Sequence, residues 1–293
     1  MTFDWHRFVP ASARSAAGLV DGAPPCLSGR LLVRHAGAID APVVEMTARR
    51  AAHIMGFLRA CRQADAVAVI AVDADVREQR PGAGAQAVQG ILTAAVAALY
   101  TGPLVLVARA WQPRGGVDDD SILTLVGEGV ARDLAAGFGA IGLPAAVMTN
   151  AALLERALRS ADELDIGIEL EVGDADASLL LASVDDASLP VSAVRGAGPL
   201  DEVGTATRVT DLADLKGLDG VDPGGLRVNL DSLIAACTAV GNDGSTVADD
   251  GTAAVGDDEL VEGKVWLAVG RALRALKASG SASRLAAALL EAP

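Results

Sequence analysis

Histidine is scarce in this chain. Its 293 residues contain three, His6, His35 and His53, all in the first fifth of the sequence. A multi-histidine metal centre built along the rest of the chain is therefore excluded. Cysteine is also sparse: Cys26, Cys61 and Cys237 lack CxxC spacing, so neither a zinc ribbon nor a redox motif follows. An odd, scattered set of thiols fits a reducing cytoplasm. The three lysines, Lys216, Lys264 and Lys277, fall on no convincing strand, which argues against imine-forming chemistry. Basic runs are missing and the formal charge is −14, which excludes a phosphate-backbone binder. The opening MTFDWHRFVPASARS has no apolar stretch of leader length. The longest purely apolar strand, residues 66–72, is too short to span a bilayer. The expectation is a soluble, cytoplasmic protein with no nucleic-acid or membrane partner. Nucleophile-elbow, Walker and dinucleotide glycine patterns are absent as well.

What the chain has in quantity is small apolar residues in alternating blocks. Hydrophobic residues make up 51% and aromatics only 3%, which favours many small helix–sheet contacts. Residues 1–29 carry Pro10, Pro24 and Pro25 without a clear period and read as an irregular arm. From residue 30 to 293 the pattern is regular. RLLV at 30–33 reads as a first strand and 43–64 as a helix with an apolar stripe. AVAVIAV at 66–72 is a strand buried on both faces. Further strands are expected at 103–108, in AIGL at 140–143, and in IGIELEV, PVSAVRG, ATRVT and LRVNL; SLLLASV at 178–184 reads as either helix or strand; helices are expected at 82–100, 121–138 and in the final amphipathic stretch. Such alternation implies right-handed βαβ units. About eight strands suit a single closed (β/α)8 barrel, which typically needs about 250 residues. A doubly wound open sheet is the alternative fold. The Gly- and Asp-rich stretch 241–258 reads as a long loop, either a solvated linker or a lid.

Polar residues at the C-terminal ends of apolar strands mark where such a barrel keeps its chemistry. GIELEVG, residues 167–173, puts Glu169 and Glu171 on one face of a buried strand. Two adjacent buried carboxylates raise a pKa, which suits proton transfer; alternatively they pair with Arg109 or Arg227 as a structural network. GLRVNLDS, residues 225–232, puts Asn229 and Asp231 at the mouth of another strand. Asp73 follows AVAVIAV directly and reads either as a catalytic or Mg²⁺-binding carboxylate or as a helix cap. Asp73, Glu171 and Asp231 together are candidates for an all-oxygen Mg²⁺ or Mn²⁺ site. His35, after the presumed first strand, is the candidate general acid or base, while His53 lies within a helix.

Three stretches resemble the class II ketose-bisphosphate aldolases, the fructose- and tagatose-bisphosphate enzymes. Residues 135–173 look like that family's Ala-Gly-Phe strand, its Asn-led helix and a strand ending Glu-x-Glu-x-Gly. Residues 210–240 are similar to its last barrel strand and helix, and 277–287 to its C-terminal Gly-Ser helix end. The resemblance implies a (β/α)8 barrel, a divalent metal, usually zinc, on three His and one Glu, and carbon–carbon lyase chemistry. The chain departs from that pattern at the metal. The third-strand run reads LVLVARAWQP at 104–113, the sixth AVRGAG at 193–198 and the seventh TRVT at 207–210, all without histidine. Only Glu171 is left as a ligand, and one carboxylate does not hold zinc. Gly196, Gly198, Thr210, Asn229, Asp231 and Ser232 match positions near the family's phosphate and ketose contacts, and Arg195 adds charge there. The resemblance thus implies a diverged barrel without zinc-dependent cleavage that binds a small phosphorylated or anionic ligand or serves as a non-catalytic partner, with a homo-oligomer left open. An active lyase with a rebuilt carboxylate site is the other reading.

Overall fold

A computed structural model describes residues 20–35, 41–110, 128–129, 132–143, 151–171, 191–195, 207–212, 226–239 and 255–279. Eight parallel strands close into a barrel in sequence order. They are β1 (Val43–Thr47), β2 (Val67–Val72), β3 (Leu104–Ala108), β4 (Ala140–Leu143), β5 (Gly167–Glu171), β6 (Val191–Arg195), β7 (Thr207–Asp211) and β8 (Leu226–Asn229). Closure comes from β8 pairing with β1, with Glu45 level with Asn229. The expected fold class is the one found.

Two expectations near the N-terminus are corrected. Arg30–His35 is not a strand but a short helix, α1, and Val43–Thr47, expected as the start of a helix, is the first strand. The helix that follows, α2, begins only at Ala51 and ends at Ala64. Its buried stripe includes Ile54, Phe57, Leu58 and Cys61, and it stops where Asp65 turns left-handed at φ 53°. Asp tolerates that conformation better than most residues. There the amides of Asp65 and Ala66 donate to the carbonyls of Arg62 and Cys61, closing the last turn.

Helix α1 and the residues just before it plug the N-terminal end of the barrel. Leu27 donates its amide to Leu104, Gly29 donates to Gly139, and the Ser28 hydroxyl donates to the Asp165 carbonyl. Leu27, Leu31 and Leu32 pack among Val67, Val69, Val105, Val107 and Ala140, the inward residues of the lower barrel. The approach is close enough that a Cβ on Gly139 would lie 1.9 Å from the Leu27 carbonyl oxygen. Only glycine permits it.

Outside the barrel lie α3 (Ala74–Glu78), α4 (Ala83–Ala97), α5 (Ala151–Glu163), α6 (Asp231–Ala239) and α7 (Val255–Ser279). The outward strand residues Val44, Met46, Ile70, Val72, Leu104, Leu106, Ile168, Leu170 and Val228 join the helices in one core. This explains the apolar runs of β2 and β3, which are buried on both faces. Helix α7 lies against α2, where Gly56 faces the Glu262 carbonyl and Val265. Residues 1–19 of the expected arm, the 178–184 stretch and all but the last four residues of the 241–258 loop lie outside the described residues.

Candidate functional site at the barrel mouth

Alternation along the strands divides the barrel interior into two layers. Below, the inward positions are Val and Ala packed on the plug. One step higher the inward positions are charged. Register places Glu45 beside Asn229, Arg227 beside Val209, and Glu171 beside Arg195. Glu169 and Glu171 share their inward face with these residues.

Glu45 sits at the centre and is fully buried. Its Oε1 accepts from Arg109 at 2.7 Å and from Arg195 at 2.6 Å, and its Oε2 accepts from Arg195 at 2.8 Å. Arg227 stands 2.7 Å from the same Oε2. Arg227 also donates both terminal nitrogens to Glu169, each at 2.7 Å, in the two-pronged geometry that suits a guanidinium and a carboxylate. Glu171 lies at the upper edge, where its Oε1 accepts from the Ala110 amide at 3.2 Å and stands 4.0 Å from Arg109. Burial alone would push the Glu45 carboxyl up; Arg227, Arg195 and Arg109 outweigh it and hold the group at about 2. Burial works against the charge of Arg227 too, but Glu169 and Glu45 push its pKa above the ordinary arginine value. Three guanidinium groups thus face three carboxylates at the heart of the mouth, and the interior is ionised but balanced.

Of the two readings of Glu169 and Glu171, the paired one describes the structure: Glu169 is held by Arg227, and Glu171 is beside Arg109. The balance leaves some donors over. The Nε–H groups of Arg109, Arg195 and Arg227 are buried and find no acceptor among the described residues. A buried donor without a partner carries the full cost of its lost hydration. Arg109 and Arg195 sit highest, with side chains 14% and 19% exposed.

The expected site residues divide into groups. Asn229, Asp231 and Ser232 come together where β8 runs into α6. Asp231 is wholly engaged there. One carboxylate oxygen accepts the Thr47 amide at 2.7 Å and the other accepts the Thr47 hydroxyl at 2.6 Å. Asn229 accepts the Asp231 amide at 2.7 Å and donates its own amide to the carboxylate at 3.3 Å. This pair seals the β1–β8 seam. Ser232 is exposed on the first turn of α6. Thr210 is corrected: it is level with Val228, which faces the helices, so its side chain lies on the outer face of β7 and not in the mouth. Gly196 and Gly198 lie outside the described residues.

His35 is likewise corrected in its placement. It ends α1, at the N-terminal end of the barrel, because the segment expected to be the first strand is the plug. Asp73 occupies the N-cap position of α3, and its side chain makes no capping hydrogen bond. Among the described residues no three His, Cys, Asp or Glu side chains gather in a way that would hold a metal ion. Asp73, Glu171 and Asp231 therefore do not form the oxygen cage expected of a rebuilt Mg²⁺ or Mn²⁺ site. Zinc fits no better. β3 and β6 run directly into Arg109 and Arg195, and a guanidinium has no lone pair to give a cation.

Glu45 was not among the expected site residues. Its signal was a lone carboxylate in the apolar run VVEMT, which becomes informative once that run is a strand.

No protein-family model matches the chain, and no curated protein matches its sequence. Solved structures do match. The YdjI aldolase from Escherichia coli K12 is similar over 85% of this chain and 96% of its own, with a TM-score of 0.56 at 14% identity. The fructose-bisphosphate aldolase from Campylobacter jejuni is similar over 76% of this chain and 81% of its own, with a TM-score of 0.52 at 14% identity. The likeness is one of fold, the closed (β/α)8 barrel.

Proposed function

We propose that the chain is a diverged class II aldolase-like protein that has lost zinc-dependent cleavage and binds a small anionic ligand, such as a sugar phosphate, at the barrel mouth. The observation that carries this reading is the pair Arg109 and Arg195. Both rise from strand ends into the mouth, both are partly exposed, and each keeps a buried Nε–H with no acceptor among the described residues. An anionic oxygen supplies what those donors lack. Asn229 at the end of β8 and Ser232 on the first turn of α6 add neutral donors on the adjoining side. Local donors matter because the chain as a whole carries −14 and repels anions. A cytoplasmic setting and a place in carbohydrate metabolism belong to the same proposal.

The test uses thermal unfolding with phosphate, sulfate and sugar phosphates, alongside metal analysis and an aldol-cleavage assay. A ligand at a hundred times its Kd stabilises the protein by about 2.7 kcal/mol through mass action. Arg195→Lys keeps one positive charge on Glu45 but removes the orphan Nε–H, and it should weaken that stabilisation. Stoichiometric zinc with turnover on a ketose bisphosphate would refute the loss of cleavage. If none of these anions stabilises the wild type, the pocket reading is wrong and the barrel is a non-catalytic partner.

A further inference from the structure

Arg109 stands one residue beyond the end of β3. β3 pairs with β4 only through Val107 and Ala108. On the other side, the Arg109 amide donates to the Val72 carbonyl at 3.0 Å. That same carbonyl accepts the Nε–H of Arg77 at 3.3 Å, and the Arg109 carbonyl accepts another nitrogen of Arg77. One buried side chain from α3 therefore holds both the Arg109 carbonyl and the carbonyl that accepts the Arg109 amide.

Arg77 is itself held firmly. It is 3% exposed and ion-paired with Asp133, which is equally buried, on the helical segment 132–136. Its guanidinium lies over the Phe138 ring, 5.8 Å from the centroid. Nothing in this arrangement faces the mouth directly. It joins the C-terminal ends of β2 and β3 to an outer helical segment, through the backbone of the residue that reaches Glu45.

We infer that Arg77, braced by Asp133, is a positioning residue: it fixes the peptide of Arg109 where the strand ladder has ended, so that the Arg109 guanidinium stays on Glu45 with its Nε–H presented to the mouth. The proposed ligand is not needed for this inference, although the inference specifies how one half of that pocket is kept in place.

Nitrogen-15 spectra of the ligand-free protein test it, with the Arg109 Nε–H signal assigned by its loss in Arg109→Lys. In Arg77→Lys, which keeps the charge but not the hold on both carbonyls, Arg109 Nε–H exchange with water should speed up about tenfold, the scale of one lost charge-assisted hydrogen bond. The Arg227 signal, which belongs to a residue Arg77 does not touch, should hold steady. Asp133→Asn serves as a second variant, keeping the shape and loosening the brace. Unchanged Arg109 exchange in both variants overturns the inference. So does an equal rise at Arg227, since that reports general loosening. Phosphate titration of the same proteins is a separate arm: if wild type binds no phosphate, the proposed function fails while the exchange result still decides the role of Arg77.

Discussion

Replacing Glu45 with glutamine probes the centre of the barrel with almost no change of shape. Wild-type Glu45 is fully buried and faces three guanidinium groups, so the variant leaves positive charge in the interior without its counter-ion. The magnitude follows from the carboxyl's own titration. Its fall from the ordinary glutamate value of 4.5 to about 2 corresponds to roughly 3 kcal/mol of stability at neutral pH. That agrees with the roughly 3–5 kcal/mol lost when one partner of a buried ion pair is removed. The sign with pH is fixed by the depressed pKa: the contribution is complete above the unfolded-state value near 4.5 and disappears as the folded-state group protonates towards 2. Urea unfolding of both proteins at pH 7, 5, 4 and 3 reads this directly. The wild type should exceed Glu45→Gln by about 3–4 kcal/mol at pH 7 and by only about 1 kcal/mol at pH 3. A gap that stays constant from pH 7 to 3, or one below about 1 kcal/mol at pH 7, would show that the guanidinium groups do not hold Glu45 ionised.

Arg227→Met should cost about 3–5 kcal/mol, because Glu169 and Glu45 both lose a buried partner; adding Glu169→Met should recover part of that loss in the same denaturant assay. Asp231→Asn removes the charged acceptor of the Thr47 amide and hydroxyl at the β1–β8 seam, and should lower stability by about 2–3 kcal/mol, whereas Ser232→Ala should be nearly silent in calorimetry. Gly56→Ala would set a Cβ 2.5 Å from the Glu262 carbonyl oxygen and 2.9 Å from the Val265 Cβ, forcing α2 and α7 apart. A loss of about 1–3 kcal/mol is expected, and an unchanged melting temperature would contradict the close helix contact.

β2, β3 and β4 were legible because each is a short apolar run, and β5 to β8 because apolar residues alternate there with polar ones. The first strand was hidden by continuity. VVEMT passes into ARRAAHIM without Gly or Pro, and the helix beginning at Ala51 has no side-chain cap at Arg50 to announce it. That one misreading also hid Glu45. On a helix it is an ordinary solvated carboxylate; on an inward strand position it is the centre of the site. It displaced His35 too, since RLLV looks extended until the barrel supplies an end for it to plug. Arg109 and Arg227 were legible as partners for Glu169 and Glu171, because charged residues on buried strands must neutralise one another. Thr210 failed for a subtler reason. The direction of a strand residue depends on parity, and a single residue of register exchanges mouth for outer face.

The plug has a consequence for how the molecule is made. Leu27, Leu31 and Leu32 are synthesised early, but their seat is built from β2, β3 and β4, and Ser28 and Arg30 reach Asp162 and Asp165 just before β5. At roughly 5–20 residues per second, a ribosome needs roughly 7–30 s to travel from the plug to its last anchor. For that interval three leucines have no native place to go. The bottom of the barrel is thus where a nascent chain of this design is most exposed to wrong partners, and where a chaperone that grips apolar segments has most to shield.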